Sequence, residues 1–87
     1  MQTFEGALVR EQGVEFAIVV VKSHVLSSDS SCRQAASAFS GVFGRVPIVL
    51  MAQDGFGTPQ YWGRPDIVKY LSQVPMEAIP WKRFTVS

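Results

Sequence analysis

Cysteine and histidine are almost absent from this sequence, which contains one of each, Cys32 and His24. A single thiol cannot close an internal disulfide, and one cysteine with one histidine cannot supply the ligands of a structural zinc site. Small domains without disulfides are typical of reducing compartments, so we expect a cytoplasmic protein. We expect it to bind no metal and no cofactor.

Charged residues are also scarce, at 17% of the chain with a net charge of +1, and only Lys82 and Arg83 are adjacent basic residues. Proteins that bind nucleic acids normally carry a basic patch or stripe, so we do not expect a nucleic-acid partner. The longest apolar run, residues 16–21, is too short to span a membrane. Residues 1–13 lack the basic start and apolar segment of a secretion signal. We therefore expect a soluble protein with no membrane partner.

Apolar residues, in contrast, are plentiful: 47% of the chain is hydrophobic and 11% is aromatic. Disordered segments combine low hydrophobicity with high net charge, so this composition predicts a packed core. A chain of 87 residues suits one small domain, and we expect residues 1–87 to form it. The low charge and the aromatic content also suggest a surface that a partner covers.

The apolar pattern of the first half predicts a hairpin followed by a helix. Residues 3–10 and 14–22 are expected to form two strands around a glycine turn. The second strand is apolar without alternation, which favours burial of both its faces. Residues 30–44 place apolar side chains three and four positions apart, as on one stripe of a helix. Ser30 or Asp29 is expected to cap this helix at its N-terminus.

The second half of the chain repeats this plan. Residues 46–53 form a second continuously apolar strand, and Asp-Gly-Phe-Gly at 54–57 is a strong turn signal. The short strand that follows is expected at an edge of the sheet, because Pro59 cannot donate a ladder hydrogen bond. A helix is expected within residues 64–74. Pro65 suits its first helical position.

The expected fold is a single α+β domain in the order ββαββα, with a mixed four-stranded sheet and two helices. A helical crossover makes the second and third strands parallel neighbours, and the simplest strand order is 1-2-3-4. Residues 81–86 could add a fifth strand at an edge. Both central strands need cover on both faces. If both helices lie on one side, the other apolar face must meet a partner, which is the main reason to expect a homodimer.

The segment Lys-Ser-His-Val-Leu-Ser-Ser-Asp-Ser-Ser-Cys-Arg-Gln, residues 22–34, connects a buried strand to a helix. Helix amides and the helix dipole favour anions at such a position, and Ser30, Ser31 and Arg33 are the candidate anion ligands. The segment lacks the glycines that let a backbone approach a phosphate, and no Walker-type motif is present. The alternative is a capping loop with solvated serines, which helix starts favour for structural reasons.

Cys32 is the candidate nucleophile of this segment, and His24 is the candidate base. The dipole at a helix start lowers the pKa of a thiol, which favours a reactive cysteine. Cys32 also shares a helical stripe with Ala35 and Phe39, which favours burial in the core. No Asn or Asp is placed to orient the His24 ring, so an ordinary surface histidine is the alternative to a base.

A second cluster of candidates follows the predicted turn. Phe56, Tyr61, Trp62 and Arg64 are the candidate binding residues, because flat rings bury a large area at low entropic cost. The alternative is cross-strand packing and closure of the hairpin. No pair of carboxylates has a spacing that implies acid–base chemistry.

The layout of residues 46–71 is similar to the C-terminal half of thioredoxin-like domains. That half has a cis-proline before an apolar strand, a glycine turn, a second strand that ends at glycine, and a final helix. The matching positions are Val46-Pro47, Asp54-Gly55, Gly63 and Leu71. The resemblance implies that Cys32 faces Pro47 as a redox cysteine. The chain has no C-x-x-C, and it lacks the strand and helix that the family places before its proline.

Three functions follow from these patterns. We expect a small non-catalytic binding or assembly module that self-associates as a homodimer or joins a protein partner. The alternative among enzymes is a thioredoxin-like, single-cysteine thiol protein with Cys32 as nucleophile. The third reading is a small anion-binding domain that uses residues 28–33.

Overall fold

One five-stranded sheet with two helices forms the fold of the computed structural model, which describes residues 2–11 and 13–86. The strands lie in the order β4-β3-β2-β1-β5. The α+β class, the ββαββα order and the fifth C-terminal strand are confirmed. The strands are β1 (Gln2–Glu11), β2 (Val14–Val20), β3 (Ile48–Gln53), β4 (Pro59–Trp62) and β5 (Lys82–Val86), and the helices are α1 (Asp29–Phe43) and α2 (Pro65–Leu71).

The sheet is mixed, as predicted. Strand β2 runs parallel to β3, whereas the pairs β1–β2, β1–β5 and β3–β4 are antiparallel. The two parallel strands are the continuously apolar ones, since residues on both of their faces are buried. Strands β4 and β5 form the two edges of the sheet. The predicted edge position of the strand that begins with Pro59 is confirmed.

The two helices lie on opposite faces of the sheet. Ile67 and Leu71 of α2 pack in one cluster with Ile18 of β2. Cys32 of α1 packs with Val19 of β2 in a second cluster. Successive side chains of a strand point to opposite faces, so neighbours in β2 belong to different cores. The sequence left the facing of the helices open, and because they cover opposite faces the condition on which a homodimer was mainly expected is not met.

Helix α1 spans the sheet from one edge strand to the other. At its start, Asp29 Oδ1 accepts a hydrogen bond from Trp62 Nε1 of β4 at 3.0 Å. Near its end, the Phe43 ring lies 5.1 Å from the Phe84 ring of β5 in an edge-to-face pair. The N-cap is Ser28, whose Oγ accepts from the Ser31 amide at 3.1 Å. The predicted cap at Ser30 or Asp29 is wrong, because the helix begins one turn earlier than its apolar stripe.

Helix α2 begins at Pro65, as predicted, and ends at Leu71, earlier than predicted. The next residues form tight i→i+3 bonds, in which the Gln73 amide donates to Tyr70 and the Val74 amide donates to Leu71. Within the described residues, no helix has the length and apolarity needed to cross a membrane.

Two 3-10 turns complete the described structure. The first 3-10 turn (Ser23–Ser27) precedes α1, and the second 3-10 turn (Met76–Ala78) follows α2. The second turn is anchored by Trp81, whose Nε1 donates to the Met76 carbonyl at 3.0 Å. Ile79 is buried in the core on the α2 face, so this segment closes that side of the sheet.

Candidate functional site: the Phe56 turn

The connection between β3 and β4, residues 54–58, is locked by hydrogen bonds to a single aspartate. Asp54 Oδ1 accepts from the Phe56 amide at 2.8 Å and from the Thr58 amide at 3.0 Å. The Asp54 amide donates to the Thr58 carbonyl, and the Gly57 amide donates to the Asp54 carbonyl, both at 3.0 Å. Gly57 has φ 83°, a left-handed conformation that glycine adopts without strain. We call this segment the Phe56 turn.

The Phe56 turn is also fastened to the body of the protein. Gln53 Nε2 donates to the Gly57 carbonyl at 3.1 Å, and it lies 3.6 Å from the Met76 sulfur of the second 3-10 turn. Gln53 is the last residue of β3, so its backbone is held by the sheet. Hydrogen bonds within the turn and the contact with a neighbouring segment therefore both stabilise this conformation.

The ring at the tip of this rigid turn points into solvent. Phe56 is 95% exposed, the highest value among the exposed large apolar side chains, ahead of Leu8 at 48% and Val42 at 40%. Single exposed apolar side chains are common on protein surfaces. An almost fully exposed phenylalanine on a preorganised turn, however, can bury its ring against a partner with little loss of conformational entropy. The sequence singled out Phe56 as a binding residue, and its role in binding stays a prediction.

Tyr61, Trp62 and Arg64 do not join Phe56 in one surface. Tyr61 packs with the core on the α2 face, whereas Trp62 packs on the α1 face, because adjacent residues of a strand point in opposite directions. Arg64 pairs with Asp66, with Nη2 2.6 Å from Oδ2 and Nε 3.1 Å from Oδ1. This hydrogen-bonded pairing lowers the pKa of Asp66. The structure thus leaves Phe56 as the exposed aromatic ring of the four, while Arg64 is exposed but engaged by Asp66.

Tyr61 carries a polar atom that its packing does not satisfy. The phenol oxygen is buried and has no hydrogen-bond partner among the described residues. Burial raises the pKa of this phenol. The buried hydroxyl therefore costs desolvation free energy, and the ring stabilises the fold as an apolar group beside Met51.

Cys32 lies in the core and not at the surface. It is 1% exposed, and its Sγ is 3.5 Å from the Val25 carbonyl, to which it donates. Burial, reinforced by the charge of Asp29, raises the pKa of the thiol. A buried thiol with a raised pKa is a poor nucleophile, so the geometry does not support the thiol function.

His24 is exposed on the first 3-10 turn, whereas the Cys32 thiol is buried. Its backbone carbonyl accepts from Ser27 Oγ at 2.6 Å, and this hydrogen bond stabilises the first 3-10 turn. The arrangement therefore provides no support for His24 as the base of Cys32.

The start of α1 is occupied by the chain's own groups. Ser28 caps the Ser31 amide, and Asp29 forms an ion pair with Arg33 at 2.9 Å. A carboxylate in the first turn interacts favourably with the helix dipole and repels an incoming anion. Ser30 is exposed, but the candidate ligand Arg33 is already engaged. The contacts match the capping-loop alternative and give the anion-binding hypothesis no support.

The described residues also lack the cis-proline that thioredoxin-like domains place before an apolar strand. No peptide bond within the described residues is cis, so the Val46–Pro47 bond is trans. Cys32 makes its hydrogen bond to Val25 in the segment before α1. The cis-proline that the resemblance implies is therefore contradicted.

The wider search for a site gives two results. Among residues 2–11 and 13–86, no group of three or more His, Cys, Asp and Glu side chains is arranged to hold a metal ion. Comparisons of the chain with protein-family models, with curated proteins and with solved structures return no match. We therefore infer function from the geometry of this molecule alone.

Sequence reasoning missed the residues that make the Phe56 turn rigid. Asp54 was recognised only as part of a turn signal, and Gln53 was not singled out. The available signal was an aspartate at the first turn position, whose side chain commonly accepts from amides two or more residues on. The fastening of Gln53 to Met76 joins segments that only the tertiary fold brings together.

Proposed function

We propose that the protein is a non-catalytic binding module that self-associates through the Phe56 turn. The observation that carries the proposal is the combination of a ring that is 95% exposed with a turn that hydrogen bonds hold in one conformation. Preorganisation lowers the entropy lost on association, and aromatic anchors dominate the energetics of many interfaces. The buried thiol and the capped helix start supply no competing chemistry.

The expected strength of the contact follows from the apolar area of one ring. Complete burial of a phenylalanine side chain stabilises by about 1.5–3 kcal/mol. That range corresponds to roughly a 10–100-fold change in the dissociation constant. Phe56 alone cannot support a tight complex, so neighbouring surface must add to it.

The neighbouring surface is the free edge of β4. The Phe56 turn leads directly into this edge strand, which is four residues long and begins with Pro59. A second copy can meet the edge and the turn at once in a twofold-symmetric contact, the commonest symmetry of protein dimers. Since β4 is short and its proline lacks an amide hydrogen, strand pairing adds few hydrogen bonds, and the aromatic anchor provides much of the affinity.

Sedimentation equilibrium of the purified protein, over a wide range of protein concentrations, tests this proposal. We expect the wild-type chain to form a dimer, and we expect Phe56→Ser to weaken the dimer at least about tenfold. Val42→Ser is the matched control, because it also removes an exposed apolar side chain but lies on α1. A monomeric wild-type protein at every concentration, or a dimer that Phe56→Ser leaves intact, would contradict the proposal.

A further inference from the structure

An open groove of about 540 Å³ lies on the α2 face of the sheet. Its volume is within the range of small-molecule sites, roughly 300–1,000 Å³. The groove is bounded by residues of β1, β2, β3 and β5. Its lining includes Thr3, Glu5, Val20, Gln53 and Arg83. Gln53 connects the groove to the Phe56 turn through its hydrogen bond to the Gly57 carbonyl, but Phe56 and the start of α1 do not line the groove.

The groove lies at the carboxyl ends of the two parallel strands. Val20 is the last residue of β2, and Gln53 is the last residue of β3. Ligands of open α/β sheets commonly bind outside the carboxyl ends of parallel strands, because the connecting segments diverge there and leave a crevice. In this protein the segment after β2 leads to α1 on one face, while α2 covers the other face around Ile18. The ends of the strands remain uncovered between them.

The floor of the groove presents one acid and one base side by side. Glu5 of β1 and Arg83 of β5 are direct cross-strand partners, and both are exposed. The ion pairs found within the described residues join other groups, so Glu5 and Arg83 are not paired with each other. Opposite charges at such positions usually interact, yet an exposed pair contributes only about 0–1 kcal/mol. A ligand with complementary charges can therefore engage both groups without a large opposing term.

We propose that this groove binds a small zwitterion with an α-amino carboxylate, either a free amino acid or a short peptide. The planar guanidinium of Arg83 can hold the carboxylate through two parallel hydrogen bonds, and the carboxylate of Glu5 can accept from the ammonium group. The Thr3 hydroxyl adds a donor and acceptor at the rim. Val20, which is half-buried, offers apolar contact to an aliphatic side chain of the ligand.

Amide shift mapping on the isotopically labelled protein tests the ligand class. The probes are leucine, N-acetyl-leucine, leucine amide and trialanine, each at millimolar concentration. We expect leucine or trialanine to move the amides of Thr3, Glu5 and Arg83, and which of the two binds more tightly identifies the source of the zwitterion. We expect N-acetyl-leucine, which lacks the ammonium, and leucine amide, which lacks the carboxylate, to bind at least about tenfold more weakly.

Single substitutions, each with a matched control, test the roles of the two charged side chains in binding. Arg83→Gln and Glu5→Gln should each weaken binding at least about tenfold. Arg45→Gln and Glu77→Gln each remove a charge of the same sign from an exposed position outside the groove. These control variants should leave the affinity for the ligand unchanged. If Arg83→Gln does not fold, Arg83→Lys keeps the charge but loses the paired geometry and should also weaken binding.

Two results would overturn the inference: the absence of any concentration-dependent shift with leucine and trialanine, or equal binding of leucine and its two capped forms. Because Phe56 does not line the groove, Phe56→Ser should leave ligand binding unchanged. Failure of one proposal therefore does not imply failure of the other.

Discussion

Two segments of this chain each follow one of the parallel strands, and they use their polar residues differently. At the start of α1, Ser28 accepts from the Ser31 amide and Asp29 accepts from Trp62 Nε1, while Cys32 enters the core. In the Phe56 turn, Asp54 likewise satisfies backbone amides, but the apolar residue stays outside. Ser28 and Asp54 both accept hydrogen bonds from backbone amides. The difference is the position of the apolar residue, and this difference is the reason why we propose the second segment as the binding site.

The largest expected effect on stability separates the two segments directly. Cys32→Ser places a hydroxyl in the core at a site that is 1% exposed, and it should lower the free energy of unfolding by about 1–3 kcal/mol. Phe56→Ser should change it by less than about 0.5 kcal/mol, because the ring has few packing partners to lose. Chemical denaturation of the two variants measures both values. Equal losses would contradict the distinction between a core residue and a displayed one.

The rigidity of the Phe56 turn is tested by removal of its aspartate. Asp54→Ala removes the acceptor of two amide hydrogen bonds and should cost about 1–2 kcal/mol of stability. It should also weaken the dimer, although Phe56 is still present, because the ring is no longer held in place. Asp54→Asn retains the side-chain oxygen and serves as the control. If Asp54→Ala and Asp54→Asn have the same affinity, preorganisation does not contribute to binding.

Because the Cys32 thiol is buried, we expect the free energy of unfolding to fall as the pH becomes alkaline. The folded state raises the pKa of Cys32 through burial, so the unfolded chain loses this proton first as the pH rises. The stabilisation is complete below the pKa of an unfolded thiol, about 8.5, and is lost between that pH and the raised pKa of the folded state. The slope in this window is at most about 1.4 kcal/mol per pH unit. Denaturation curves at pH 8 to 9.5 should show a steeper loss for the wild type than for Cys32→Ala. Parallel losses in the two proteins would indicate an accessible thiol.

The capping role of the segment before α1 gives the smallest effect. Ser28→Ala should destabilise the protein by about 1 kcal/mol, because it removes the acceptor of the Ser31 amide. Ser30→Ala is the matched control at an exposed position and should be nearly neutral. Thermal or chemical unfolding measures both variants. A larger effect at Ser30 would indicate a role beyond the cap.

Much of the fold could be predicted from the sequence because it depends on local patterns. Continuous apolar runs marked the two central strands, the crossover between them fixed their parallel direction, and Pro59 marked an edge. The side of the sheet on which α2 packs could not be predicted, since its apolar stripe is compatible with either face. Ser28 was missed as the cap because the polar residues before α1 include several good capping types.

The candidate sites were predictable only in part. The turn signal at residues 54–57 made Phe56 a candidate, but its exposure depends on what packs nearby. Strand alternation alone predicts that Tyr61 and Trp62 lie on opposite faces of the sheet. The groove was missed entirely, because Glu5 and Arg83 come from the two ends of the chain and meet only through the pairing of β1 with β5.

The most direct test of the central claim is a map of amide chemical shifts as a function of protein concentration. If the Phe56 turn is the surface through which two copies meet, the amides of residues 54–58 and of β4 should shift as the protein is concentrated. The amides of residues 28–33 should not shift. Concentration-dependent shifts at the start of α1 with none in the Phe56 turn, or no shifts anywhere, would contradict the account.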